Sequence, residues 1–415
     1  MGQGPAAEEA LSEPEQFPVR TWLIALAGWA FDFYDLILFS FLLTPIARDL
    51  ALSEPARQTL LGIALGASGV GGMVFGHLAD RYGRRSVMVW TILIYSAGTA
   101  LTAAAMGPIS LALARFVTGL GVGGEWAIGH ALLAESAPAR MRGRAAALLQ
   151  AGEPLGVGLA AVVGFLVEPV IGWRVVCVLS SASALLALVV RRHLPESALW
   201  EAGAKRERTA IEAMRYLRER GLLGTLAKGW LLAVFKLGTY WTCYIWLPSF
   251  MQHEFNQPVG RSALWILTSQ TGQLAGMLAF GEISDRWGRR ITFTGYSIVT
   301  AIALAPLAFA WRDLVAAPGA FWAVMLLLGL GSGCTAGFGA LMAELFPTEV
   351  RNFAMGTAYN CARGVQFFAP IVVGHAKDAG GVAGALSVPL VLALATAGWV
   401  WALPETRGRD LARIG

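Results

Sequence analysis

The chain has 415 residues, 56% of them apolar and 14% charged, with a formal net charge of +5. A soluble domain carries about 45–50% apolar and about 25% charged residues, so this chain has too little polar surface to coat a soluble fold. The composition is that of an integral membrane protein, and the scattered positive charge argues against nucleic acid as a partner.

Residues 1–19 hold four acids (Glu8, Glu9, Glu13, Glu15) and no apolar core, unlike a signal peptide, and are expected to form a cytoplasmic tail. A helix needs about 20 apolar residues to cross the hydrocarbon. Twelve such runs follow, at roughly 21–44, 58–79, 86–106, 108–133, 144–167, 174–191, 226–250, 261–284, 291–311, 319–343, 352–374 and 383–403. They fall into two six-span halves, 20–191 and 226–403. Between them, 192–225 is polar, and its Lys205–Arg208 and Glu212–Arg220 stretches are expected on amphipathic surface helices in the cytoplasm. Residues 404–415 form a second cytoplasmic tail. Cys177, Cys243, Cys334 and Cys361 all lie inside apolar runs without CxxC spacing, so no disulfide, metal or cofactor is expected.

Of the 32 Lys and Arg residues, six lie in loops on one side (Arg48, Arg57, Arg174, Arg261, Arg312, Lys377) and three inside spans. All the others lie at the termini and in the loops on their side, which the positive-inside rule places in the cytoplasm.

The two halves repeat. Gly76-His-Leu-Ala-Asp80-Arg81-Tyr-Gly83-Arg84-Arg85 returns 205 residues later as Gly281-Glu-Ile-Ser-Asp285-Arg286-Trp-Gly288-Arg289-Arg290. Glu135-x-x-Pro138-x-x-x-Arg142 returns as Glu344-x-x-Pro347-x-x-x-Arg351, and Pro195-Glu196-Ser197 as Pro404-Glu405-Thr406, both at an offset of 209. Parallel six-span repeats are a mark of transporters that rock one half against the other around a midplane site.

The doubled G-x-x-x-D-R-x-G-R-R loops resemble the signature loop of the major facilitator superfamily. The Arg115-Phe-x-x-Gly119-x-Gly121-x-Gly123-Gly124-Glu125 run on span 4 is similar to that family's second motif. The resemblance implies an all-α membrane fold of twelve helices in two pseudo-symmetric bundles, working as a monomer by alternating access. Asp32-Phe-Tyr34-Asp35 on span 1 and the Gly-Gly-Glu-Trp run resemble, within the family, proton-coupled symporters of sialate, lactate and aromatic acids. The compact loops point to a bacterial inner membrane.

In related transporters the signature loops lock the halves together on the cytoplasmic side when the outside is open. That implies one gate from Asp80, Arg81, Arg84 and Arg85 and another from Asp285, Arg286, Arg289 and Arg290. Glu135, Arg142, Glu196, Glu344, Arg351 and Glu405 are expected to join them. The alternative is that these arginines serve orientation alone.

An ionisable group inside a span costs about 2.5–3.5 kcal/mol on insertion scales, so each needs a reason. Seven qualify: Asp32, Asp35, Arg115, Glu125, Glu153, Lys236 and Arg363. At about 1.5 Å per residue, Asp32, Glu153, Lys236 and Arg363 lie near the midplane. Asp35 and Arg115 fall at matching heights, and Glu125 near the inner mouth. Acids on the N-terminal half and bases on the C-terminal half suggest a division of labour. Lys236 and Arg363 would hold an anion, for which the Arg fork suits a carboxylate. Asp35 is the first candidate for the proton, with Arg115 beside it, then Asp32 and Glu153. Asp35–Arg115 could equally be a static pair. Four acids and three bases leave one negative charge, which an incoming anion worsens unless a proton accompanies it.

Tyr34, Tyr240, Trp241, Tyr244, Gln150, Gln270, Gln273, Asn360 and Gln366 are expected to shape the cavity. His130, near the inner end of span 4, is expected to be a packed histidine. The glycines of spans 2 and 5 are expected to let helices pack closely. The reading is proton-coupled symport of a small organic anion. Within transport, a sugar or polyol carrier is the alternative and a drug exporter ranks lower. An enzyme is not expected, because no nucleophile–base pair or phosphate loop is present.

Overall fold

A computed structural model describes residues 17–138, 142–197, 200–201, 210–244, 259–347 and 350–407. The N-terminal half consists of α1 (Val19–Asp49), α2 (Glu54–Tyr82), α3 (Arg84–Ala103), α4 (Pro108–Ser136), α5 (Arg142–Gln150), α6 (Gly152–Val162), α7 (Glu168–Ile171), α8 (Trp173–Ser180) and α9 (Ala184–His193). A π-helical turn, Val163–Val167, joins α6 to α7, so span 5 is one continuous rod with a bulge near its outer end. The amphipathic α10 (Ala210–Glu219) meets α11 (Leu223–Tyr244) at a bend of 111°. The C-terminal half continues with α12 (Val259–Trp287), α13 (Arg289–Phe309), α14 (Trp311–Ala316), α15 (Pro318–Ser332), α16 (Gly337–Ala343), α17 (Arg351–Val365) and α18 (Ala369–Trp399).

Eight helical stretches among the described residues are long and apolar enough to cross a membrane, or nine if the bent pair is one span. One of them, Phe353–Ala402, covers two expected spans. The loop expected between those spans is helical, broken only where Gly380 and Gly381 leave the helical region. The helices α4 and α12 stand at the places of expected spans 4 and 8 and carry more polar residues.

Each half is drawn tight by glycine. A Cβ at Gly71 would lie 2.1 Å from the Leu120 carbonyl oxygen, and one at Gly329 would lie 1.8 Å from that of Ser269. Backbones therefore touch at α2–α4 and again at α12–α15, the equivalent pair under the repeat. Small residues favour such contact where lipid supplies no hydrophobic drive. The halves meet along two seams, α2 against α17 and α5–α6 against α12. The central site lies between these seams.

The signature loops turn at Gly83 (φ 94°) and Gly288 (φ 95°), a region that side chains other than glycine rarely enter. Both turns end against a carboxylate. Glu196 accepts from the backbone N–H groups of Arg84 (2.9 Å) and Arg85 (3.2 Å), and Glu405 from those of Arg289 (2.9 Å) and Arg290 (3.1 Å). Each acid caps the positive end of the helix that follows the turn. This explains why Pro-Glu-Ser and Pro-Glu-Thr repeat in register with the loops. Burial works to raise the Glu405 carboxyl, but four backbone donors outweigh it and hold the group below its ordinary value of 4.5. A lowered value gives stability that is fully present above pH 4.5 and lost as pH falls through the folded value. Glu405→Gln should therefore destabilise near neutrality, by at most about 1 kcal/mol because the side chain is exposed and solvent screens it, and the cost should shrink as pH falls below 4.5. Thermal unfolding in detergent over an acid-to-neutral pH series checks this, and a loss that does not change with pH would refute it.

Candidate functional site

The expected gate residues form clusters within a half. Arg289 grips Glu344 with two nitrogens (Nε 3.2 Å, Nη2 2.9 Å), donates to Asp285 Oδ1 (2.6 Å), and Glu344 also accepts from Thr406 (2.6 Å). Arg351 Nε donates to the Ala343 carbonyl (3.1 Å). Arg290 reaches the Leu403 carbonyl, while Arg286 pairs with Glu282 on the surface (3.2 Å). On the N-terminal side Arg84 reaches the Ala79 carbonyl (3.3 Å) and Arg81 lies over Tyr82. The side chains of Asp80, Glu135 and Arg142 lie outside the described residues. The described contacts of Arg289, Glu344 and Glu405 all stay inside the C-terminal half. They tie the inner ends of α12, α13 and α16 to the C-terminal segment, in the charge cluster that the sequence led one to expect.

Asp35 and Arg115 are brought together, as their matching heights predict. Arg115 Nη1 lies 3.1 Å from Asp35 Oδ2, with both side chains buried. Thr99 Oγ1 donates to the other Asp35 oxygen, and the guanidinium lies over Phe39 (4.4 Å).

Asp32 is buried completely and meets Glu125, not a cation. The two carboxyl groups lie against each other, and with both ionised none of their four oxygens has a hydrogen-bond donor. A proton placed between them would supply the missing donor. Glu125 was expected near the inner mouth, but its contact with Asp32 places the two carboxyl groups at one level. Gly28 makes room for it, since a Cβ there would lie 1.8 Å from Glu125 Oε1. Gly28→Ala is therefore expected to push the Glu125 carboxyl out of its place against Asp32. A structure of the variant tests this, and an unmoved Glu125 would contradict it.

Glu153 links the halves. It accepts from Gln150 Nε2 (2.8 Å) in its own bundle and from Gln273 Nε2 (2.8 Å) on α12. Trp126 Nε1 donates in turn to Gln150 Oε1 (3.3 Å).

Lys236 and Arg363 are 2% and 1% exposed. Glu153 feels both charges, yet neither cation forms an ion pair among the described residues. The two terminal nitrogens of Arg363 have no hydrogen-bond partner, and its guanidinium lies over Trp29 (5.6 Å) and Phe33 (5.4 Å). The amides of Gln270 and Asn360 and the Tyr240 hydroxyl are likewise buried without partners. Tyr244 bonds to Ser269. Tyr34 turns away from the centre, its hydroxyl 2.6 Å from Ser180 in a side cavity of about 270 Å³ between α1, α6 and α8. Beyond the expected set, the structure adds Glu125 and the rings of Trp29, Phe33, Trp126 and Tyr359. Of these only Glu125 carried a signal in the sequence, as an ionisable residue inside a span.

A family model described as Major Facilitator Superfamily matches residues 24–370 and 230–414. A protein of Cupriavidus pinatubonensis named "Probable 4-methylmuconolactone transporter" is 33% identical, over 95% of this chain and 92% of its own. The sialic acid transporter NanX of Escherichia coli is 30% identical over 84% of each chain. Among solved structures, the proton:xylose symporter XylE superposes with a TM-score of 0.78 at 19% identity, covering 96% of this chain and 98% of that one.

Proposed function

Because this chain belongs to the Major Facilitator Superfamily, a family of membrane transporters and not enzymes, we propose that it is a symporter of a small organic carboxylate and protons. The observation that carries the reading is Arg363, a buried guanidinium with two unpartnered nitrogens beside the unpaired Lys236. Leaving charge unpaired in a dry interior costs several kcal/mol, a cost that an incoming carboxylate offsets through two parallel charge-assisted hydrogen bonds. Relatives named for 4-methylmuconolactone and sialic acid support a small organic cargo.

The proton rides on the N-terminal half. Asp35 is already paired with Arg115 and accepts a hydrogen bond from Thr99. The Asp32–Glu125 pair lacks any other donor and feels Arg363 directly. It is therefore the better proton carrier, with Asp35–Arg115 as the fixed brace behind it. Arrival of an anion at Arg363 weakens that cation's hold on Asp32, so substrate and proton bind best together. Alternating access opens the site to one side at a time, through the seams where Glu153 and Gln273 join α6 to α12. The protein works as a monomer in a bacterial inner membrane with both termini cytoplasmic.

The test is reconstitution in liposomes enclosing a pH-sensitive dye, with a panel of carboxylates added outside and neutral sugars as controls. Saturable acidification with a carboxylate supports symport. Sugar uptake without acidification would refute it and favour the carrier of neutral polyols.

A further inference from the structure

Two breaks in regular helix face one cavity inside the N-terminal half. Span 5 carries the π-helical turn Val163–Val167, and span 6 tightens to a 3-10 turn, Ser181–Ser183, between α8 and α9. Irregular backbone at membrane depth is tolerated where it is buried in protein or lines a cavity, and π turns are frequent at functional sites. Val163, Val167, Ser180, Ala182 and Ser183 all line the side cavity of about 270 Å³. At about 1.5 Å per residue, it runs from Val176, near the outer end of α8, inward to Ser183, near the midplane.

Most of its wall is apolar, but its inner end carries hydroxyls. Ser180 Oγ lies 2.6 Å from the Tyr34 hydroxyl, and Ser183 Oγ lies 2.8 Å from Ser96 Oγ. Behind them stands Tyr95, 1% exposed, whose hydroxyl has no hydrogen-bond partner among the described residues. It lies beside Ser183 on one side and near Glu125 and Asp32 on the other. Gly121 lets it come so close, since a Cβ there would lie 2.5 Å from the Tyr95 backbone nitrogen. Glu125 follows Gly121 one turn later on the same face of α4. An orphaned buried hydroxyl costs about 1–3 kcal/mol, so its place needs a reason.

A hydroxyl both donates and accepts, so it can release one proton as it takes another and end unchanged. Resting on the symport reading above, we propose that protons from outside reach Asp32 and Glu125 through this cavity, by way of Ser183 and then Tyr95. The path is separate from the substrate's. The volume admits several waters, and the hydroxyls at the inner end supply partners for them. Between the halves, Phe367 lies against Gly62 and Phe33 stacks on Trp241 (6.0 Å), so the substrate's route is closed above the site while the side cavity stands open. A proton on the substrate's route would also have to pass Lys236 and Arg363, whose charges repel it. On the side path Arg115 is paired with Asp35. Tyr95, bonded to neither side, is the break in the relay. Its single hydroxyl turns to Ser183 to load and to the carboxyl pair to deliver, which prevents a continuous leak.

The test compares net acidification with counterflow in dye-loaded proteoliposomes, using labelled sialate, lactate and nicotinate as probes. Counterflow exchanges substrate across the membrane without releasing the proton, so a blocked proton path spares it. Tyr95→Phe and Ser183→Ala each remove only a hydroxyl and should slow acidification about 10-fold or more, with counterflow at the wild-type rate. Ala182→Phe, which fills the cavity and removes no hydroxyl, should do the same. If the two hydroxyl variants acidify at the wild-type rate, or Ala182→Phe does, the path is wrong and the symport reading stands. If acidification and counterflow fall together, these residues only hold helices in place and the path is again wrong. If no carboxylate acidifies wild-type vesicles, the symport reading fails and the path with it. The hydroxyl variants keep the test decisive even where Ala182→Phe fails to fold.

Discussion

Arg363→Met is expected to lose carboxylate-driven acidification while its melting temperature in detergent stays level or rises. The two effects have opposite signs because Arg363 is buried without a hydrogen-bonded partner for either terminal nitrogen. Replacing an uncompensated buried charge by an apolar side chain of similar length removes a desolvation cost, and such replacements are neutral or stabilise by about 1–4 kcal/mol. The loss of the carboxylate's charge-assisted bonds costs about 1.5–3 kcal/mol of binding, roughly 10- to 150-fold in affinity. A residue kept for structure behaves the other way. A melting temperature several degrees lower with transport intact would show that Arg363 holds helices together and binds nothing.

Asp32→Asn is expected to uncouple the proton without unfolding the protein. The amide gives Glu125 the donor that a shared proton otherwise supplies, so the pair stays packed but no longer exchanges. Proton-driven accumulation should fall at least 10-fold, while exchange of labelled substrate across the membrane persists, since neither process removes Arg363. Asp35→Asn makes the contrast. It strips Arg115 of its counter-ion in a site where both side chains are buried, and breaking such a pair costs about 3–5 kcal/mol. Lower expression and melting temperature are therefore expected for Asp35→Asn and not for Asp32→Asn. Accumulation that survives Asp32→Asn at full strength would return the proton to Asp35 or Glu153.

Much of this molecule is written along the chain, because the bilayer prices each deviation separately. A helix needs about 20 apolar residues to cross and every charge within it needs a purpose. The repeat, the spans and the seven intramembrane charges were therefore legible one segment at a time. So was the Asp35–Arg115 pair, since counting residues along two antiparallel helices gives height directly.

What only the tertiary structure decided is which faces meet. A step of one residue turns a helix by about 100°, so height says nothing about facing. Asp32 and Asp35 differ by less than a turn, yet one meets an arginine and the other a second carboxyl. Tyr34, between them, points out to Ser180. Glu125 was misplaced because counting residues takes each helix as upright, and how far one helix tilts or shifts against another is set by packing between helices. The Trp126–Tyr359 stack joins residues 233 positions apart on opposite halves. Its existence depends on how the bundles close, a relation between halves that the pattern within either one does not encode.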